Sequence, residues 1–169
     1  NGGGGDINVA ITNSGTIQAG TSDALNFSTL AGGRLDITNS GSVSTSSSGT
    51  NNAINGEGAE GLVFLTNSGT IGNANNRALN LQNLDGYFRL INAGSINSNQ
   101  SAIDLTGASG STATAAEIHN GYVENIDGSI SAATTGTREI KSTGSNALLL
   151  DNVLGNITLD NAANAAIIA

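Results

Sequence analysis

The sequence predicts an all-β chain wound as a parallel β-solenoid of about six triangular coils of roughly 25 residues. Three observations carry the prediction. The phrase Ile11-Thr12-Asn13-Ser14-Gly15-Thr16-Ile17 returns as Ile37 to Val43, as Leu65 to Ile71 and, more loosely, as Leu90 to Ile96. Its first apolar positions lie 26, 28 and 25 residues apart, too far for a hairpin repeat and suited to one turn of a solenoid. A second invariant pairs an Ala with a Gly eight positions later: Ala24 with Gly32, Ala53 with Gly61, Ala78 with Gly86, Ala102 with Gly110, Ala147 with Gly155. Third, the Ala opens a short alternating stretch, as in Ala24-Leu25-Asn26-Phe27 and Ala78-Leu79-Asn80-Leu81, whose period of two is that of a strand.

Each coil therefore has three strands. The Ala strand leads to a corner such as Asn83-Leu84-Asp85-Gly86 or Asn125-Ile126-Asp127-Gly128, whose single apolar residue is expected to plug the core at the bend. A second strand, Val63-Phe64-Leu65 or Phe88-Arg89-Leu90, runs into the Asn-Ser-Gly turn, where Asn and Gly are expected to supply a left-handed backbone. The third strand is the step after the turn, Thr16-Ile17 or Ser95-Ile96, and a loop of variable length closes the coil. Ser44 to Asn52 is a long version of that loop, tolerable because closure entropy grows only logarithmically with length. One solenoid domain over 1–169 is expected, irregular at about 111–137, where Ile118-His119-Asn120-Gly121 resembles a strand and turn that lost a residue. Ile140 to Gly144 then reads as the turn pattern resumed, and Ala147 to Ala163 aligns without gaps on Ala78 to Gly94.

Stacking like on like should place Leu25, Ile54, Leu79, Ile103 and Leu148 in one inward aliphatic column and Ile17, Val43, Ile71 and Ile96 in another. Such a core needs no aromatics, in keeping with an aromatic content of 3%. The turn residues Asn13, Asn39, Asn67, Asn92 and Asn161 should form a ladder of amides, interrupted at Ser142.

Composition narrows the function classes. A formal net charge of -8 disfavours nucleic acid and anionic membrane surfaces and favours a cation or another protein. The chain has no Cys, which removes disulfides and thiolate metal sites. No apolar run approaches the ~20 residues of a membrane-spanning helix.

The repeated ITNSGTI phrase, the Ala-Leu or Ala-Ile strand opener and the Gly-rich, Cys-free, acidic composition together resemble the passenger domains of bacterial autotransporters and related secreted surface proteins. The resemblance covers essentially the whole chain. It implies a right-handed parallel β-helix at the bacterial cell surface, and a coil type rather than an activity, so it brings no catalytic residues. Neither end carries the polar cap or amphipathic helix that closes such a core.

Several residues are candidate sites. Gly2 to Gly5 with Asp6 share the residue types, but not the spacing, of calcium-binding nonapeptide repeats. Glu60 and Asp85 occupy equivalent corner positions on adjacent coils, where two carboxylates repel unless a cation or proton lies between them or water screens them. Glu117, His119, Tyr122, Glu124 and Asp127 cluster in the irregular region, the natural place for an acid-base pair or a carbohydrate contact. The rank Thr12, Thr38, Thr66 would suit an ice-binding face, but ends at Ile91 and Lys141.

The expected function is an extracellular structural or adhesive β-solenoid, not an enzyme, with no cofactor. The alternatives are a carbohydrate-binding or carbohydrate-cleaving β-helix and a calcium-dependent module. Partners would be the chain itself, stacked head to tail through Ile7, Val9, Ile11, Ile167 and Ile168, the flanking coils of a longer chain, or cell-surface glycans or proteins.

Overall fold

Parallel strands that stack in register at ~4.8 Å place each residue against its counterpart one coil away, and the fold is built from that repetition. A computed structural model describes residues 8–28, 30–46, 49–73, 75–107, 115–153 and 155–169. Strands of three kinds alternate along the chain. Sheet A contains β1 (Asn8–Asn13), β4 (Ala31–Asn39), β7 (Glu60–Asn67), β10 (Asp85–Asn92), β13 (Ala115–Asn120) and β18 (Ile157–Asn161). Sheet B contains β2 (Thr16–Ala19), β5 (Ser42–Thr45), β8 (Thr70–Asn73), β11 (Ser95–Ser98), β16 (Glu139–Ser142) and β19 (Ala166–Ile168). Sheet C contains β3 (Leu25–Asn26), β6 (Ile54–Asn55), β9 (Leu79–Asn80), β12 (Ile103–Thr106) and β17 (Leu148–Asp151). All pairs within these sheets are parallel. Among the described residues sheets A and B have six strands and sheet C five, which makes about five turns instead of about six.

Inside, the columns are aliphatic. Ile54, Leu79 and Ile103 stack in register and are buried, with Leu25 and Leu148 half-buried at the two ends. Val43, Ile71, Ile96 and Ile140 make the sheet B column, all at 0% exposure. Sheet A contributes Ile37, Leu65, Leu90 and Ile118. An aromatic does enter the core: Phe88 is fully buried in the row Val63, Phe88, Ala116, and the small Ala116 is its neighbour in register. Leu84 plugs its corner at 1% exposure, but Ile126 does not plug the core, because its corner belongs to another element. That element is an antiparallel hairpin, β14 (Tyr122–Glu124) with β15 (Ile130–Ala132), inserted between the sheet A and sheet B strands of the fifth turn. Ile126 sits at its tip, fully exposed.

The turn glycines have a different role from the one their sequence suggests. Gly15, Gly41, Gly69 and Gly94 do not adopt positive φ. Instead, a Cβ on Gly69 would lie 2.0 Å from the carbonyl oxygen of Gly41, and one on Gly94 2.0 Å from that of Gly69. Those carbonyls accept the hydrogen bonds that join the coils, from Thr70 N at 2.9 Å and Ser95 N at 2.9 Å. Gly is required because the neighbouring backbone occupies the side-chain position. Positive φ appears at other corners, including Asn83 at 55° and Asn152 at 52°, two positions that align in sequence.

This arrangement yields a prediction from two copies of one phrase. Gly69→Ala should cost about 3 kcal/mol by forcing two backbones apart, whereas Gly15→Ala, with nothing within 4 Å, should be neutral or stabilising by up to ~1 kcal/mol. Urea denaturation of the two variants checks this, and equal effects would contradict it.

Candidate functional site

The asparagine of each turn faces inward at the end of its sheet A strand, so parallel register brings successive asparagines together. Asn13 Nδ2 donates to Asn39 Oδ1, Asn39 to Asn67, Asn67 to Asn92, Asn92 to Asn120, and Asn120 to Asn161, each at 2.8 Å. Each of the first five amides also reaches the backbone of the next coil, at Ser42 O, Thr70 O, Ser95 O, Glu139 O and Ala166 O. Only a side chain with donor and acceptor on one short stem can repeat in this way, and Asp in its place would stack like charges. The ladder is not interrupted at Ser142. Asn120 carries it, and Ser142 lies in sheet B opposite Ser98. The insertion of the hairpin after Asn120 delayed the rest of the coil and made Ile140 to Gly144 look like the turn, when it is the strand after it.

Glu60 and Asp85 do face each other in register on β7 and β10, both exposed. Calcium takes six to eight oxygen ligands, roughly. Among the described residues no group of three or more His, Asp or Glu is gathered to hold a metal. Residues 1–7, with the Gly-rich run and Ile7, lie outside the described residues.

The irregular region builds a charged cluster on the outer face of sheet A. Register sets Arg89 beside Glu117 and sets His119 between Ile91 and Asp160. The threonine rank therefore continues as Ile91, His119 and Asp160, and Lys141 is not part of it. β14 packs against β10, so Ile91 and His119, although on an outward rank, are only 2% and 6% exposed. His119 meets the Tyr122 ring edge-on at 5.9 Å. Its Nε2 is 3.6 Å from Glu117 Oε2, and its Nδ1 is 2.9 Å from Asp160 Oδ2 without being aligned as a hydrogen bond. Arg89 ties the hairpin down, with Nη1 2.9 Å from Glu124 Oε1 and Nε 3.6 Å from Glu117 Oε2. Asp127 does not join the group; it accepts bonds from Ser129 N and Oγ at the hairpin tip, and they lower its pKa.

Arg89, Tyr87 and Asp160 belong to this cluster although they lie in regular coils. For Arg89 and Asp160 the signal that could have found them is their alignment with Glu117 and His119; Tyr87, in register with Ala115, reaches Glu117 through its hydroxyl. Sequence reasoning also missed Asp104, fully buried on sheet C, which accepts from Arg77 Nε at 2.5 Å and Thr106 Oγ1 at 2.6 Å and so joins two coils. Removing Arg77 would strand the buried Asp104 carboxylate.

Tyr87 is half-buried beside the cluster, and burial, with a hydrogen bond to Glu117, pushes its hydroxyl up to about 12. In the unfolded chain a phenol ionises at about 10.0. The raised folded value gives stability that is complete below pH 10 and lost as pH rises toward 12. Denaturation midpoints on either side of pH 10 should fall more steeply in the parent than in Tyr87→Phe. No protein-family model, curated protein or solved structure matches the chain.

Proposed function

We propose that the chain is an extracellular structural and adhesive β-solenoid, non-enzymatic, that lengthens by stacking coils end on end. The observation that carries the reading is the polarity of the asparagine ladder. Every rung donates toward higher residue numbers, so one end has the acceptor Asn13 Oδ1, which accepts from Gly15 N at 3.2 Å, and the other the donor Asn161 Nδ2, which bonds Ala165 O at 3.2 Å, each in place of a further asparagine. The aliphatic columns agree with it. Val9 at 38% exposure, with Ile11 beside it, lies at one end, and Ile157 and Leu159 at 37% and 44% lie at the other, whereas Ile168, 42% exposed, is on the outward rank of the last sheet B strand, in register with Lys141. Ile17 and Ile167 are the half-buried ends of the sheet B column.

Strand edges with apolar columns behind them are templates for another strand. Because the two ends are different surfaces, their contact propagates instead of closing on itself. The stacking partner is a second copy of this chain or the flanking coils of a longer one. The cell-surface location rests on the resemblance of the repeat phrase.

Leu159→Lys, at the exposed end of the sheet A column, discriminates between the partners. If copies stack, the parent should sediment as polymers and show single-rod filaments by electron microscopy, while the variant remains monomeric. A parent that stays monomeric at high concentration would rule out copies as the partner and leave flanking coils.

A further inference from the structure

We propose that the outer face of sheet A is a binding strip for a neutral oligosaccharide. The inference deepens the adhesive part of the reading above, by naming a ligand class and its contact surface, and is independent of end stacking.

The pleat turns Arg34, Leu62 and Tyr87 outward in one row and Asp36, Phe64 and Arg89 outward in the next. The chain has five Phe and Tyr residues; Phe88 is in the core, and two of the others meet here on the outer face. The rings of Phe64 and Tyr87 lie 5.6 Å apart between centroids, and the Arg34 guanidinium sits 4.0 Å from the Phe64 centroid. Leu62, in register with Arg34 and Tyr87, is 43% exposed. Leu62 with the half-buried Phe64 and Tyr87 makes an apolar strip across two neighbouring coils of a rigid sheet, with the Arg34 guanidinium lying over the Phe64 ring.

Planar polar groups flank the strip. Arg34 forks onto Asp36 through two bonds of 2.7 Å, with both side chains exposed. On the other side Arg89 lies between Glu117 and Glu124, and the hairpin that supplies Glu124 stands as a wall along that edge. Each guanidinium is neutralised by carboxylate, so the surface offers no excess positive charge to an anionic polymer. It offers paired donors and acceptors beside apolar rings. A pyranose has the complementary chemistry, with C–H bonds on its ring face and hydroxyls on its edges that both donate and accept. Apolar and aromatic contact area with a few fixed polar groups is how proteins recognise such ligands. From Arg34 to Glu117 the strip with its polar flanks crosses three strand spacings, roughly 14 Å, enough for a short chain of sugars.

Isothermal titration of the parent with cellohexaose, maltohexaose and chitohexaose, and with heparin oligosaccharide as the anionic control, tests the proposal. Binding to at least one neutral sugar is expected, with the association constant reduced about tenfold in Phe64→Ala or Tyr87→Ala and unchanged in Thr12→Ala on the same face. Leu62→Glu, at an exposed position, should abolish binding without changing the melting temperature, which separates loss of the site from loss of the fold. Binding to none of the neutral sugars, to heparin alone, or equally by all variants would overturn the proposal. Sedimentation of the same samples reports end stacking separately, so either idea can fail alone.

Discussion

Parallel backbone pairing between successive coils is the constraint on which the rest of this molecule depends. At ~4.8 Å per coil every side chain has its own counterpart as its nearest neighbour, so each position must hold a residue that tolerates itself. Aliphatic side chains stack into columns, asparagines bond into a chain of amides, and turn glycines leave room for the carbonyl of the coil before. Like charges are the residues least suited to the rule. Buried or half-buried charges are balanced across coils, as Arg77 is by Asp104 and Arg89 by Glu117, whereas the like pair Glu60 and Asp85 meets in register only at the exposed surface.

That constraint also decides what was legible in the sequence. A position that must match itself repeats visibly, which is why the three strands of a coil, their columns and the solenoid class can be read from Ile11-Thr12-Asn13-Ser14-Gly15 and its copies. The errors have physical causes. A hairpin inserted after Asn120 displaced the fifth-turn copy of sheet B, so Ser142 was aligned with a turn it does not belong to. Asn125-Ile126-Asp127-Gly128 has the composition of a solenoid corner but closes an antiparallel hairpin, held by bonds from Asn125 N to Ser129 O and Gly128 N to Asn125 O. Glycine in the turn phrase suggested positive φ because that is its commonest use, whereas here it makes space. Phe88 fits because Ala116 yields room one coil on, a compensation between coils that a single repeat does not display.

The outer cluster was only half readable for a related reason. Glu117, His119, Tyr122 and Glu124 are close in sequence and look irregular, so they attract attention. Arg89 and Asp160 sit in ordinary strands and join them only through register. On a solenoid, outward positions are released from the packing that governs the inside, and neighbours on the surface come from successive coils. Function on such a rod has to be sought across coils, along a sheet face or at an end.

The central claim is that side-chain and backbone amides are bonded from coil to coil along the whole stack. Hydrogen exchange of the asparagine side-chain amides, followed by NMR, tests it most directly. The account predicts slow exchange at Asn39, Asn67, Asn92 and Asn120, where exposure is 1% or less, and faster exchange at the exposed Asn161. Uniformly rapid exchange at all of these amides, in a chain that is otherwise folded, would contradict it.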